Sequence, residues 1–160
     1  MAKKTSTGVG DYTLRDPQGP VQLSGLFGKS DLLVVLHNMG TSCPNCTLWG
    51  DEFNGMRKTL EKATSFCIVG PDEPKAQAIY AKKRGWSSRF VSAKGTSFIK
   101  DMGFEGKAGD PQPGVSVLKR TKSGISIVKQ VNVMRDGDCP SVLEVIWMLP
   151  GVKPADMAWK

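Results

Sequence analysis

The feature that most constrains this chain is the cysteine pair Cys43 and Cys46, in the stretch MGTSCPNC. Residues 31–37 (DLLVVLH), before it, form a continuous apolar run, the pattern of a strand that is covered on both faces. The residues after it predict a helix from about 44 to 62, because apolar side chains recur at spacings of four and three. That apolar stripe comprises Trp49, Phe53, Met56, Leu60 and Ala63.

The rest of the chain alternates strand and helix patterns, which predicts an α/β fold with helices flanking a central mixed β-sheet. The turn-rich sequence RDPQGP separates two short apolar segments and predicts an N-terminal β-hairpin. Gly50 and Gly55 weaken the helix after the cysteines and predict a bend in it. Further strands are predicted at 64–69, 89–92, 115–118 and 125–131, and further helices at 74–84, 96–102 and 141–149.

The chain length of 160 residues predicts one domain over residues 11–160, preceded by a flexible N-terminus of residues 1–10. No segment approaches the roughly 18 consecutive apolar residues of a membrane-spanning helix. The N-terminus also lacks the apolar core of a secretory signal, so we expect a cytoplasmic protein without a membrane partner. The net charge of +7 comes from scattered basic residues, which indicates solvated surfaces and not a nucleic-acid interface.

The position of the cysteine pair favours redox chemistry. Pro44 suits the first turn of a helix, which places Cys43 at the helix N-terminus, where exposed amides and the helix dipole stabilise a thiolate. Cys46 follows about one turn later on the same face, about 5–6 Å away at Cβ, so a local rotation brings the pair within disulfide range. An exposed thiolate beside a resolving thiol is what thiol–disulfide exchange requires.

Two other interpretations of the pair remain, a zinc site and a structural crosslink. A zinc site normally needs four ligands, and the remaining candidates, His37, Cys67 and Cys139, form no second paired motif. A disulfide across so short a loop contributes little stability and is rare in a reducing compartment. We therefore predict no metal and no organic cofactor. Cys67 has the pattern of a buried apolar residue, whereas Cys139 is either a surface residue or a second resolving cysteine.

The order of a strand, CPNC and a helix, followed by a βα unit and a hairpin preceded by proline, resembles the thioredoxin superfamily. The segment DYTLRDPQGPVQLSGLFGKSDLLVVL is more similar to the peroxiredoxin-related AhpC/TSA branch than to thioredoxin itself. The stretches CPNCTLWGDEFNG, KKRGWSSRFVSAKGTSF and LPGVKPADMAW resemble an uncharacterised bacterial thioredoxin-like family, over roughly residues 11–159. The resemblance implies a thioredoxin-like fold more than a particular activity.

The resemblance also implies a substrate-binding segment before the second hairpin. Thioredoxin-like proteins place a cis-proline opposite the dithiol, just before an antiparallel strand, and Pro113 fits that place. This implies a cis bond between Gln112 and Pro113, and a Gln112 backbone that pairs with a substrate chain. Pro44 and Asn45, between the two cysteines, complete the predicted substrate contacts.

His37 is implied as a proton acceptor. Thioredoxin carries a buried acid six residues before its first cysteine, where it accepts the proton of the inner cysteine. That position holds His37 here, the only histidine in the chain. The ordinary pKa of histidine, about 6.5, suits proton transfer near neutrality. We expect a buried, neutral His37 that accepts the Cys46 proton, or else a strand-end residue satisfied by backbone or water.

We therefore predict a thiol–disulfide oxidoreductase in which Cys43 is the nucleophile and Cys46 resolves, with protein or small-molecule disulfides and thiols as partners. A peroxiredoxin-like peroxidase acting on peroxide is the main alternative. However, the proline and threonine that precede a peroxidatic cysteine are absent, since their places before Cys43 hold Leu36 and Gly40. A redox sensor or binding module is the third alternative. The sequence does not determine the oligomeric state.

Overall fold

The apolar strand before the cysteine pair lies in the middle of a mixed sheet. The computed structural model describes residues 8–158, and these contain eight strands. They are β1 (Gly8–Val9), β2 (Thr13–Asp16), β3 (Gly19–Gln22), β4 (Leu32–His37), β5 (Ser65–Gly70), β6 (Arg89–Ser92), β7 (Gly114–Thr121) and β8 (Gly124–Asn132). Their order across the sheet is β1-β8-β7-β4-β5-β6-β2-β3. The strand β5 is parallel to β4 and β6, and the other neighbours are antiparallel. The predicted central mixed sheet is confirmed.

The N-terminal segment joins both edges of this sheet. The predicted hairpin is confirmed as the antiparallel pair β2 and β3, which lies beside β6. Of residues 1–10, predicted to be flexible, residues 1–7 lie outside the described part of the chain. Gly8 and Val9 form β1 and pair with β8, so this end of the segment belongs to the sheet.

Short helices cover the two faces of the sheet. Within residues 8–158 they are a 3₁₀-helix (Leu23–Phe27), α1 (Pro44–Gly55), α2 (Arg57–Leu60), α3 (Pro74–Arg84), α4 (Phe98–Asp101), α5 (Val133–Asp136), α6 (Val142–Met148) and α7 (Pro154–Ala158). The sequence predicted α3, α4 and α6, but α5 and α7 are too short to show a helical period. None of the helices in the described range has the length and apolar character needed to cross a membrane.

The helix predicted over residues 44–62 is in fact two helices, α1 and α2. The helix is interrupted at Met56, whose φ of −98° and ψ of 4° lie outside the helical conformation. Gly55 immediately precedes the break, which confirms the predicted bend. Trp49 and Leu60 are buried as the apolar stripe predicts, but Met56 is 41% exposed, because the break turns its side chain outward.

Two apolar cores lie on opposite faces of the sheet, and β4 contributes to both. Val34 and Leu36 pack into the core that includes residues of α1, α3 and α6. Leu33 and Val35 pack into the other core, with the 3₁₀-helix and α4. Because successive side chains of a strand point to opposite faces, this double burial explains why the sequence of β4 is apolar without interruption.

We predict that Gly114→Ala destabilises the protein by about 2–3 kcal/mol. Gly114 begins β7, and a Cβ there would overlap the ring of Phe104 and the carbonyl oxygen of Val131. Gly55→Ala is the matched control, since no atom lies within 4 Å of a Cβ at that position. The control is expected to equal the parent protein or to gain up to about 1 kcal/mol. Urea denaturation measures both free energies of unfolding, and equal stability of the two variants would contradict this packing of β7.

Candidate active site

The two motif cysteines lie side by side at the start of α1. Cys43 is the N-cap residue of this helix, and its Sγ accepts a hydrogen bond from the Cys46 N–H at 3.2 Å. The two Sγ atoms are 2.7 Å apart and share a hydrogen bond. Pro44 occupies the first helical position, as predicted. No covalent bond joins the two sulfurs, which are in contact.

The surroundings of the two sulfurs differ. Cys46 is 3% exposed, whereas Cys43 is only half-buried. Burial raises the pKa of the Cys46 thiol to about 12, the hydrogen bond with Cys43 acts in the same direction, and the Met39 N–H opposes both at 3.4 Å. Cys43, in contrast, is the N-cap residue of α1, and the Cys46 amide points at its sulfur. Cys46 therefore keeps its proton at neutral pH, and Cys43 is the sulfur that can act first.

The loop between β4 and α1 is held in place by side chains that fix its backbone. The Asn38 Oδ1 atom accepts a hydrogen bond from the Gly40 N–H at 2.7 Å. Asp72, just before α3, accepts one from the Thr41 N–H at 2.7 Å. Gly40 has a φ of 127°, which favours glycine, and a Cβ there would also crowd the Asp72 carboxylate. Asp72 was not predicted as a site residue, because its contact with the loop spans 31 positions of sequence.

A groove of about 540 Å³ opens on one side of the dithiol. Both motif cysteines, Asn45, Pro113 and Cys139 line it, together with the apolar side chains of Met39, Leu48, Trp49, Val133 and Met134. The wall that carries Cys139 is fixed to α1 by two hydrogen bonds: Trp49 Nε1 donates to the Pro140 carbonyl at 3.0 Å, and the Val142 N–H donates to Glu52 Oε1 at 2.8 Å. The groove is therefore a preformed, largely apolar surface beside the sulfurs.

A second, smaller recess of about 390 Å³ also opens at Cys43, and Cys46 is not part of its lining. Its lining combines Pro44, Leu48 and Cys43 with the hydroxyl groups of Thr41, Ser42, Thr47 and Tyr80 and with the guanidinium group of Arg84. Thr47 Oγ1 donates to the Cys43 carbonyl at 2.9 Å and is in contact with the Tyr80 hydroxyl. Because the Thr47 hydrogen is used in the first bond, Tyr80 donates in the second. Tyr80 and Arg84 are one turn apart on α3. The sequence did not identify them as site residues, because it does not show that α3 faces the dithiol.

The predicted substrate segment is only partly at the groove. No cis peptide bond occurs within residues 8–158, so the predicted cis bond before Pro113 is wrong. The chain is anchored in the trans form on both sides: the Gln112 N–H donates to the Phe104 carbonyl at 2.7 Å, and the Pro113 carbonyl accepts from the Val133 N–H at 3.0 Å. The Gln112 side chain accepts from Asn132 Nδ2 at 2.9 Å. Pro113 therefore lines the groove, whereas the N–H of Gln112 is not available to a substrate strand.

His37 is buried at the end of β4, with 3% of its surface exposed. Its ring stacks on Phe104, with centroids 3.6 Å apart, and its Nε2 lies 2.8 Å from Ser116 Oγ. Burial lowers the pKa of His37 to about 3, so the ring is neutral, as expected. In the described part of the chain its hydrogen bond goes to Ser116 and none joins it to Cys46. The proton-acceptor role stays a prediction, and the observed contacts give His37 a place in the core.

The other two cysteines, Cys67 and Cys139, are not part of the dithiol, and the pKa of each is raised. Burial raises the pKa of Cys67 to about 12, in the middle of β5. Cys139 is exposed, and its pKa is raised by partial burial and by the carboxylates of Glu52, Asp138 and Glu144. Among residues 8–158, no group of three or more His, Cys, Asp or Glu side chains is arranged to hold a metal ion.

With this geometry established, comparisons with known proteins give the family. A model described as a bacterial protein of unknown function (DUF899) matches residues 7–139. The chain belongs to this family. It is the kind of uncharacterised bacterial family that the sequence resemblance indicated. No curated protein matches the chain.

Solved structures similar to this DUF899 protein are thioredoxin-fold peroxiredoxins. The bacterioferritin comigratory protein of Xanthomonas campestris is 19% identical, with a TM-score of 0.65 over 76% of this chain and 80% of that one. BcpB of Mycobacterium tuberculosis is 23% identical, with a TM-score of 0.65 over 81% and 85%. A cysteine mutant of PrxQ from Xylella fastidiosa is 16% identical, with a TM-score of 0.69 over 84% and 87%. These likenesses confirm the predicted thioredoxin-like fold.

We predict that the stability of this protein falls between pH 6.5 and 5 because of His37. The unfolded chain binds a proton at this residue below about pH 6.5, but the folded protein does so only near pH 3. Stability is therefore fully present above pH 6.5 and decreases on acidification, by about 1.5 kcal/mol between pH 6.5 and 5. Urea denaturation at several pH values measures this slope.

The variant His37→Phe tests whether His37 causes this pH dependence of stability. Phenylalanine keeps an aromatic ring against Phe104, and Ser116 Oγ still accepts from Gln130 Nε2 at 3.0 Å. The variant is expected to show a much flatter pH dependence between pH 6.5 and 5, since the chain has no other histidine. An unchanged slope in His37→Phe would show that His37 is not held neutral by burial.

Proposed function

We propose that this protein is a thiol–disulfide oxidoreductase that uses the Cys43–Cys46 dithiol. The observation that carries the proposal is the contact of the two sulfurs at 2.7 Å in unequal surroundings. One sulfur is accessible at a helix N-terminus and the other is buried with a raised pKa. A nucleophile and a protonated partner within reach of each other are what the two steps of exchange need.

The proposed reaction transfers two electrons from the dithiol to a disulfide. The Cys43 thiolate attacks one sulfur of the substrate, forms a mixed disulfide and releases the other half as a thiol. Cys46 then loses its proton and attacks Cys43, which releases the second thiol and leaves a Cys43–Cys46 disulfide. A thiol-based reductant would restore the dithiol. We place this cycle in a reducing compartment, the cytoplasm, where the resting state is the dithiol.

Residues beside the dithiol would contact the substrate. Asn45 and Pro113 line the apolar groove, and Pro44 lines the smaller recess at Cys43. The apolar walls of the groove, including Leu48 and Met134, which are each 66% exposed, would accept the apolar part of a disulfide-bearing partner. These contacts need no cofactor.

Thiol peroxidase is the second candidate, and the fold favours it. The similar protein from Xanthomonas campestris has alkyl peroxide reduction activity. In this chemistry Cys43 would take one oxygen from the peroxide as a sulfenic acid, and Cys46 would condense with it to give the same disulfide and water. Against it stands the absence of the peroxiredoxin proline and threonine, whose places before Cys43 hold Leu36 and Gly40. A sensor or binding module would show turnover with neither oxidant.

We predict that Cys46→Ser traps the first step and that Cys43→Ser abolishes it. Reduced protein is mixed with hydroxyethyl disulfide and examined by intact-mass spectrometry. Cys46→Ser should accumulate a stable adduct of one half-disulfide on Cys43, and the parent protein should instead lose two hydrogens as its internal disulfide forms. Cys67→Ala, at a cysteine that is buried in β5 and does not line the groove, is the control and should behave like the parent protein.

The same samples treated with hydrogen peroxide separate the two candidates. Fast sulfenic acid formation at Cys43 in Cys46→Ser, without any adduct from the disulfide, would replace the oxidoreductase by the peroxidase. A parent protein that never forms the Cys43–Cys46 disulfide with either oxidant would refute both.

We predict that resolution of the mixed disulfide accelerates by about tenfold per unit between pH 7 and 9. Burial, the largest cause of the raised pKa of Cys46, persists in the mixed disulfide, so only a small thiolate fraction resolves it. Rapid-quench mass spectrometry follows the decay of the adduct. His37→Phe is expected to keep this pH dependence, given the contact of His37 with Ser116. A parent profile that is flat, and that becomes slower and steeper in His37→Phe, would restore the proton-acceptor role.

A further inference from the structure

The two openings beside Cys43 differ in which sulfurs they reach. Cys43 lines both the groove and the recess, whereas Cys46 lines only the groove. The Cys46 sulfur, 2.7 Å from the Cys43 sulfur, therefore lies on the groove side of Cys43. Tyr80 and Arg84 line the recess and Cys46 does not, so we take the recess as the side of Cys43 that faces away from Cys46.

This arrangement assigns a position to the substrate in the mixed disulfide. Thiolate attack on a disulfide is an in-line displacement, in which the attacking, central and leaving sulfurs lie close to one line. Since Cys46 attacks the Cys43 sulfur from the groove, the sulfur that leaves lies on the opposite side, in the recess. The half of the substrate that remains bonded to Cys43 after the first step is therefore held there.

The recess has the chemistry of an anion site. Arg84 donates two hydrogen bonds to the Asp51 carboxylate, from Nε to Oδ1 at 3.3 Å and from Nη2 to Oδ2. Asp51 Oδ1 also accepts a hydrogen bond from Trp86 Nε1 at 2.7 Å. Within residues 8–158 the bonds of this guanidinium are to Asp51, so the Nη1 hydrogens are left for a ligand in a fixed orientation. The hydroxyls of Thr41 and Ser42 add further donors.

Charge is distributed unequally between the two sides. In the described part of the chain no acidic side chain lines the recess, and the positive end of the α1 dipole lies there, at Pro44. The far wall of the groove, in contrast, carries Cys139, whose pKa is raised in part by the carboxylates of Glu52, Asp138 and Glu144. A negative group on the substrate is thus favoured on the Arg84 side and disfavoured on the Cys139 side.

We propose that the recess binds the carboxylate of a small anionic disulfide, and that Arg84 determines this specificity. The inference rests on the proposed exchange reaction and names its substrate class. In the first step the Cys43 thiolate bonds to the carboxylate-bearing half, and the other half leaves as a thiolate that takes a proton from water. In the second step Cys46 gives its proton to water and bonds to Cys43, and the carboxylate-bearing half leaves the recess as a thiolate that takes a proton from water. The dithiol loses two electrons and the substrate disulfide gains them.

The test compares three disulfides of similar size and different charge. Reduced protein is mixed in single-turnover experiments with dithiodipropionate (anionic), hydroxyethyl disulfide (neutral) and cystamine (cationic). The parent protein should react fastest with the anion and slowest with the cation, and added salt should slow only the reaction with the anion. In Arg84→Gln the ratio of the anionic to the neutral rate constant should fall about tenfold, the effect of one charge-assisted hydrogen bond.

Two further variants isolate the role of the guanidinium. Lys83→Gln removes the same charge from the neighbouring position of α3, which does not line the recess, and should keep the parent ratio. Asp51→Asn removes the carboxylate that compensates Arg84 and should raise the ratio; it also keeps the proposal testable if Arg84→Gln fails to fold.

The outcomes are distinguishable from those of the proposed function. Equal rates with the three disulfides, or an unchanged ratio in both Arg84→Gln and Asp51→Asn, would overturn the assignment of the recess and leave the oxidoreductase standing. An equal fall of the ratio in Lys83→Gln would show an effect of net charge alone and would also overturn it. A reduced protein that reacts with none of the three would overturn the proposed function, and the inference with it.

Discussion

The different depths of two touching sulfurs are the constraint on which the rest of the site depends. Cys46 is buried and Cys43 is accessible, yet their Sγ atoms are 2.7 Å apart. This requires Cys43 to be the N-cap residue of α1, so that Cys46 faces inward one turn later. It also requires a fixed path for the loop between β4 and α1. Asn38 and Asp72 hold the backbone of that loop, and Trp49 ties α1 to the segment before α6. Reactivity at Cys43 is therefore a consequence of how α1 is seated on the sheet.

The parts of this arrangement that were predicted correctly are those encoded in local sequence. The uninterrupted apolar run of β4 requires cover on both faces, and the two cores supply it. Pro44 identifies the first turn of α1, and Gly55 the end of it. In each case neighbouring residues carry the signal, so strand, motif and helix could be placed in order. Met56 was assigned wrongly because the apolar period was extended through the break that follows Gly55, although this glycine predicted a bend.

The parts that were missed depend on contacts between distant segments. The Gln112 N–H is bound by the Phe104 carbonyl and its side chain by Asn132, and neither contact leaves a pattern near Pro113. His37 stands at the position of a functional acid in thioredoxin. Its environment is nevertheless set by Phe104 and Ser116, from other elements, and they surround it with an aromatic ring and a hydroxyl group instead of a thiol. The position of His37 in the sequence predicted its burial, but its contact residues, Phe104 and Ser116, belong to distant segments of the chain.

The division of space around Cys43 also bears on the choice between disulfide and peroxide. In the proposed assignment both chemistries end with the same in-line step, in which Cys46 attacks Cys43 from the groove and a group leaves into the recess. For a peroxide that group is a hydroxide, which becomes a single water. A water molecule takes about 30 Å³ in the liquid, whereas the recess is about 390 Å³. A cavity of that size, with Arg84 and several hydroxyl groups along its wall, fits an organic leaving group that has polar atoms beyond its sulfur. Under the proposed assignment the leaving side therefore suits the second thiol of a disulfide, even though the fold is shared with peroxiredoxins.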